Sequence, residues 1–331
     1  MTRKINNSYE LGQSNAPTDG GDMLKTRADG TLVWEGVADT TYEPFHFHNA
    51  SNYGYTSGGT NVIDKFSFSS DADATDVGNL TLSRDGPTGQ SSTTHGYTSG
   101  GNSGGTALDR IDKFSFTSDG DATDVGNLSV ANKAFSGHSS STHGYTAGGA
   151  DSSGTNTNVI DKFSFSSDGD ATDVANLSAN RSHSSGNTSS THGYASGGLQ
   201  VSNAVVSTID KFSFSSDGDA TNVGDITQAR GIGAGQSSST HGYHSGGMNG
   251  DNNWDIIDKF AFSSESTTTD VGNLFVAQRG CAGQSSTTYG YATGGTGSSN
   301  TIQKFSLSSD ADATDVANLF SGRNYVAGQQ Y

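Results

Sequence analysis

The sequence predicts an all-β fold, a six-bladed β-propeller preceded by a short β-hairpin arm, and three observations carry that expectation. A double glycine after an aromatic strand recurs, ending at Gly59, Gly101, Gly149, Gly198, Gly247 and Gly295, so one unit follows another about every 48 residues. Inside each unit apolar residues alternate with the period of a strand, and no helical stripe occurs. The turns are written in Gly, Asp, Ser and Thr, which supply positive φ or cap the backbone locally. A fixed period decides architecture before local propensity does, and four short strands in each of six units is the pattern of propeller blades.

Residues 1–41 stand outside the repeat. There "GDMLKTRADGTLVWEGV", Gly21 to Val37, reads as two strands joined at Asp29-Gly30, a strong hairpin signal. A lone hairpin is marginal in water, so the arm needs a partner: its own propeller, a sister chain or another protein. Residues 42–331 form the propeller. After each double glycine comes an "IDKFSF"-like strand, with Phe66, Phe114, Phe163, Phe212, Phe260 and Phe305 in one column. Asp64, Phe66 and Phe68 face one way along it, and Ile63, Lys65 and Ser67 the other. A "TDVGNL"-like strand follows, ending at Leu80, Leu128, Leu177, Ile226, Leu274 and Leu319. A basic residue then opens the innermost strand of the next blade: Arg84, Lys133, Arg181, Arg230, Arg279 or Arg323. The innermost type occurs once more at the chain end, in "RNYVAGQQY", Arg323 to Tyr331. That strand is expected to complete blade 1 beside "NYGYTSGG" and leave no sheet edge between the chain ends. "PFHFHNA", Pro44 to Ala50, is the competing occupant.

Composition alone points elsewhere. With 46 Gly, 30% hydrophobic residues and a net charge of −17 in 331 residues, the chain leans toward a disordered or fibrous class. The 16 Phe and 12 Tyr recur at fixed columns, however, and supply large apolar surface for several small cores. The single Cys281 has no partner for an internal disulfide or a zinc site. No apolar run approaches the ~20 residues that span a bilayer, and "MTRKINNSYELG" lacks the apolar centre of a secretory signal. A soluble protein made in a cytosol is expected, without membrane insertion. The 17 basic residues against 34 acidic ones argue against a nucleic-acid partner, which needs a Lys/Arg-rich surface.

The units resemble kelch repeats: a strand ending in Gly-Gly, an aromatic in the next strand, an Asp-bearing turn, a short strand, and a basic residue opening the next blade. "RGIGAGQSSSTHGYHSGG", Arg230 to Gly247, has the spacing of that family's run from innermost strand to double glycine. Two features depart from it. The family's outer-strand Trp is replaced by Val77, Val125, Val174, Val223, Val271 and Val316, and the innermost strands are rich in Ser and Gln rather than apolar. The arm resembles attachment segments of bacteriophage tail-fibre and other virion proteins, where "GDxLxTxxDGTLxW" is common. The "DKFSFSSDGDATDVGNL" units also look like those in predicted structural proteins of marine phages. These resemblances imply a non-enzymatic virion protein without cofactor, a tail fibre, appendage or capsid decoration present in several copies. Residues 1–41 would dock to other virion proteins, and the propeller would bind a host-surface glycan or protein. A kelch-type interaction module with no virion role, or a carbohydrate-active enzyme with its site at the channel mouth, are the alternatives.

Candidate site residues follow from the contrast between constant strands and variable loops, since function gathers in loops held by a rigid scaffold. The connections after the double glycine differ in length and sequence: "NSGGTALDR", "ADSSGTNTNV", "LQVSNAVVST", "MNGDNNWDI". Trp254 offers a stacking face, and Asp251, Asn252 and Asn253 offer hydrogen bonds; burial under a neighbouring loop is the opposing reading for Trp254. Arg84, Arg181, Arg230, Arg279 and Arg323 form a basic ring with Lys133. The ring would either hold an anionic ligand or tie blades to carbonyls and Asp. The "SSDGDATD" turns invite a calcium reading, but they lack a closing bidentate Glu, and Asp and Thr also cap tight turns through their own backbone. His95, His143, His192 and His241, with Tyr53 and Tyr289 in the same column, sit on separate blades and are expected to pack rather than share an ion. No Ser-His-Asp spacing emerges that points to a nucleophile.

Overall fold

The structure is a computed structural model that describes residues 52–264 and 267–330 and the backbone of two N-terminal strands. The chain divides into two compact units, residues 1–46 and 47–331. In the first, Asp22–Thr26 pairs antiparallel with Leu32–Gly36, with Leu24 opposite Trp34, so the two strands expected of the arm do pair, while Asp29-Gly30 lies outside the described residues. The rest of the arm, Pro44–Ala50 and Tyr331 lie outside the described residues.

In the second unit, six four-stranded antiparallel sheets follow one another as blades. Blade 3 shows the plan from the axis outward: Ser136–Ser139, His143–Ala147, Val159–Ser164 and Thr172–Asn176. Blade 1 draws its innermost strand from the other end of the chain. Val326–Gln330 pairs with Tyr53–Gly58, Val326 opposite Gly58, followed by Val62–Ser67 and Thr75–Asn79. The C-terminal strand therefore fastens the ring, as the strand count requires.

The apolar columns meet between blades. Tyr55, Ile63 and Leu80 of blade 1 pack on Phe114, Phe116 and Ala122 of blade 2, and corresponding residues form a core at each other junction. Each buried aromatic or aliphatic side chain contributes about 1.5–3 kcal/mol, so stability is shared by six small cores. The glycine of "HGY" has a packing reason. At Gly54, Gly96, Gly144, Gly193, Gly242 and Gly290 the Phe of the adjoining strand lies over the Cα, where any side chain would collide with its ring. The outer-strand valines also have one. Between Ile63 and Asp64 the pairing slips, so Val77 is the extra residue of a β-bulge, and it lies partly buried against the adjoining core.

The Ser/Gln-rich innermost strands close the axis through their backbones. Gly89, Gly137, Gly186, Gly235, Gly283 and Gly328 form a circle in which a Cβ on any one would strike a neighbouring glycine's carbonyl oxygen. Beside it, amide side chains bridge to the second strand of the next blade. Gln90 donates to the Tyr145 carbonyl (3.2 Å), Asn187 to Tyr243 (2.7 Å), Gln236 to Tyr291 (2.9 Å), Gln284 to Tyr55 (2.9 Å) and Gln329 to Tyr97 (3.0 Å). At the sixth position His138 meets the Asn187 carbonyl through Nδ1 at 3.0 Å. Further out, the backbone N–H of Ala74, Ala122, Ala171, Ala220, Thr268 and Ala313 donates to the preceding blade at 2.7–2.8 Å. These buried amide donors are thus paired across blades, as their desolvation demands.

Candidate functional site: the double-glycine face

The loops after the double glycines and the connections leading to the innermost strands emerge at the same end of the blades. At the centre of that end lie Gly86, Ala134, His183, Ile232, Gly280 and Tyr325, all left-handed with φ between 53° and 69°. Each N–H donates to the carbonyl of the preceding residue in this circle, at 2.5–2.9 Å, and Gly86 closes it by donating to Tyr325. Four of the six are not glycine, and such residues cost about 1–3 kcal/mol each in this conformation. His183 and Tyr325 meet edge to face across the mouth, ring centres 6.4 Å apart. Burial pushes the His183 imidazole down to about 4, and Lys133 adds to the shift. The axial cavity beneath measures about 110 Å³, below the roughly 300 Å³ at which small-molecule pockets begin.

Four members of the basic ring are interior. Arg84 pairs with Asp112 at 2.8 Å, Arg181 with Asp210 at 3.1 Å, Arg230 with Asp258 at 2.9 Å, and Arg323 with Asp64. All eight side chains are buried. Arg84 also donates to the Thr98 carbonyl, and Arg230 to those of Gly246 and His244. Burial pulls these guanidinium pKa values down while the facing carboxylates oppose it. The same aspartates accept the N–H and hydroxyl of the residue that leaves the preceding blade: Thr81 on Asp112, Ser178 on Asp210, Thr227 on Asp258. These four arginines thus tie the connections between blades to the second and third strands of the blade that follows.

The remaining two basic residues are out of register with that column. Counted from the Leu column, the buried position holds Asn132 and Gln278, and Lys133 and Arg279 come one residue later. Asn132 donates to the Gly148 carbonyl at 2.8 Å, and Gln278 to Thr301 Oγ1 at 3.0 Å. Gln303 replaces the aspartate facing Gln278, so that exchange leaves no unpaired charge. Blade 3 keeps Asp161, which Ser129 contacts through N–H and hydroxyl but no cation does among the described residues, and burial raises its pKa. Lys133 and Arg279 are half-buried at the rim, and an Arg279 N–H reaches Met248 Sδ at 3.3 Å.

Around the mouth the residue after each of four double glycines bridges back to the rim: Asn102 to Asp85, Ala150 to Lys133, Leu199 to Ser182 and Met248 to Gly231. Beyond these bridges rise the long loops of blades 2–5. In blade 5, Met248–Asn249 pairs with Asn252–Asn253 as a small hairpin, leaving Asp251 and Asn252 exposed. Trp254 is half-buried at its base, with its N–H on the Gly247 carbonyl. The indole Nε1 is enclosed without a hydrogen-bond partner. Asn253 Nδ2 reaches Thr296 Oγ1 of blade 6 at 3.4 Å. Of the four, Asp251 and Asn252 offer open polar groups, while Trp254 and Asn253 are partly built into the wall.

At the opposite end of the blades, five junctions share one pattern among the described residues. Lys65, Lys113, Lys162, Lys259 and Lys304 each reach an aspartate in the next blade's turn. A second aspartate of that turn accepts from an asparagine of the preceding blade, as Asp121 does from Asn79 N–H at 2.9 Å. The "SSDGDATD" carboxylates are thus engaged in joining blades, which accounts for their recurrence. The histidines of the aromatic column are half-buried, with Nδ1 at 2.7–2.8 Å from the preceding Thr hydroxyl. Where the column holds tyrosine, a lysine caps the ring, 4.6 Å from the centroid at Tyr53 and 5.0 Å at Tyr289.

Sequence reasoning missed the exposed apolar residues beside the rim. Phe275 and Phe320 stand where other blades have Ser or Thr, a difference visible once the units are aligned on the Leu column. The geometry defines a closed six-bladed propeller with one nearly uniform end and one varied end. No protein-family model and no curated protein matches the chain.

Proposed function

We propose that this chain is a non-enzymatic binding protein whose double-glycine face meets a partner, and that it serves as a virion component anchored by its N-terminal arm. One observation carries the reading: the apolar cores recur at every blade junction, whereas the long loops of blades 2–5 differ from one another. Rigid scaffolds that vary in their loops do so for recognition. The virion role draws on the likeness of "GDMLKTRADGTLVW" to phage attachment segments, and the kelch-like pattern is consistent with a propeller used for contact. The partner is a host-surface glycan or protein, met by Asp251, Asn252 and the flank of Trp254, and several copies per particle would raise a weak affinity by avidity.

Deletion of residues 1–41 is expected to abolish incorporation into particles while the propeller still folds; normal incorporation of the deletion variant would overturn the anchoring role. On a glycan array, binding lost in Asp251→Ala/Asn252→Ala supports glycan recognition. Turnover of a bound glycan would overturn the non-enzymatic reading.

A further inference from the structure

The loops leave a gap in the wall. Blade 1 has only Thr60 and Asn61 between its double glycine and the next strand, and blade 6 has Thr296 to Asn300, whereas the loops of blades 2–5 are longer. Into this low sector project Phe320, 64% exposed, Phe275, 61%, with Val276 and Leu82. In a monomer these side chains have an unfavourable setting.

They also carry a cost within the fold. At the four other junctions the residue after the Leu column is Thr81, Ser129, Ser178 or Thr227, whose hydroxyl bonds to the buried carboxylate of the next blade. At the two neighbouring junctions that flank blade 6 it is Phe275 or Phe320. There the facing groups, Gln303 Nε2 and Asp64 Oδ1, are buried without a hydrogen-bond partner. Orphaning a buried polar atom costs about 1–3 kcal/mol. Breaking a local rule at two adjacent positions, with exposed Phe as the result, is the mark of a functional surface.

The charges at the ends of the sector indicate its occupant. Leu82 and Val276 share one column, and Asp85 and Arg279 share another, each pair one blade step to either side of the junction between blades 6 and 1. Neither Asp85 nor Arg279 belongs to an ion pair among the described residues. A two-fold axis through that junction exchanges the two ends. It brings Arg279 of one copy to Asp85 of the other, twice, sets Val276 against Leu82, and places Phe320 beside its own counterpart. This is the self-complementarity of an isologous interface. The aspartate-rich turns lie at the opposite end of the blades, so two chains of net charge −17 meet at this end with those turns kept apart. We infer that the sector of Phe275, Val276, Phe320 and Leu82 docks a second copy of this chain as a two-fold dimer. The inference goes beyond the binding role of the long loops and does not depend on it.

Sedimentation of the full chain over a range of concentrations tests this with charge exchange. Wild type is expected to be a reversible dimer. Arg279→Asp and Asp85→Arg should each weaken it about tenfold or more, and an equimolar mixture of the two should pair again, since both contacts are then complementary. Phe275→Ser/Phe320→Ser should give monomer, while Val201→Ser, 78% exposed on the blade 4 loop, should leave the dimer intact. The inference is overturned by a wild type that stays monomeric, by a dimer indifferent to the charge changes, or by a mixture that fails to pair. A monomer that binds another molecule through Phe275 and Phe320 would equally overturn it.

Discussion

At the turn end of the blades, Lys65 meets Asp119 and Asn79 meets Asp121, and these contacts recur at four further junctions among the described residues. At the double-glycine end, neighbouring blades differ in loop length, in the residue after the Leu column, and in whether the buried position four residues past that column holds arginine, glutamine or asparagine. The repeat is nearly constant at the turn end and released at the double-glycine end. An identical substitution should therefore have different effects in different blades, and the following experiments exploit that.

The largest effects are expected at the buried pairs. Arg230→Ala would leave Asp258 as an uncompensated buried carboxylate and should cost about 3–5 kcal/mol in denaturant unfolding. Arg279→Ala, at the rim, should change stability by less than about 1 kcal/mol. Equal losses would contradict the placement of Arg279 outside the buried column.

Acid comes next. Burial holds the fully enclosed His138 at about 4, below its ordinary value of about 6.5. The unfolded chain takes up a proton first, so stability is lost as pH falls from 6.5 toward 4, about 3 kcal/mol for this residue. His244 shifts in the same direction for the same reason. His138→Gln, which matches the amide at the other positions of its column, should flatten that part of the pH profile.

Asp161 gives the opposite sign. Its carboxyl is raised by burial, so the folded state holds its proton longer and stability falls as pH rises above the ordinary carboxyl value. Asp161→Asn should thus raise the midpoint at neutral pH by a few degrees, on the scale of about 1 kcal/mol. Asp210→Asn, which strands Arg181, should lower it. The smallest effect is expected at the exposed ties, where Lys65→Ala should cost no more than about 1 kcal/mol and less in high salt.

The propeller was legible because its signals are local and periodic: the double glycines, the Phe column and the strand count that sends Val326–Gln330 to blade 1. The basic ring was legible only in part. Arginines were matched to the nearest cation, whereas the fold counts from Leu128 and Leu274 and so buries Asn132 and Gln278. The glycine circle escaped notice because what forbids a side chain at Gly137 belongs to a strand 48 residues earlier. The left-handed backbone at Ile232 and Tyr325 has no sequence signal, since it is imposed by the closed circle of hydrogen bonds. Phe275 and Phe320 lie one residue past the Leu column, outside the periodic Phe column, and only their exposure marks them as a surface feature.

The claim at the centre of this account is that the double-glycine end, and not the turn end, meets other molecules. Hydrogen exchange of the full chain at low and high protein concentration tests it directly. Added protection is expected at 81–86, 275–280 and 320–325, with the turns at 69–74, 118–122 and 166–171 unchanged. Protection confined to those turns, or no difference between the two concentrations, would contradict it.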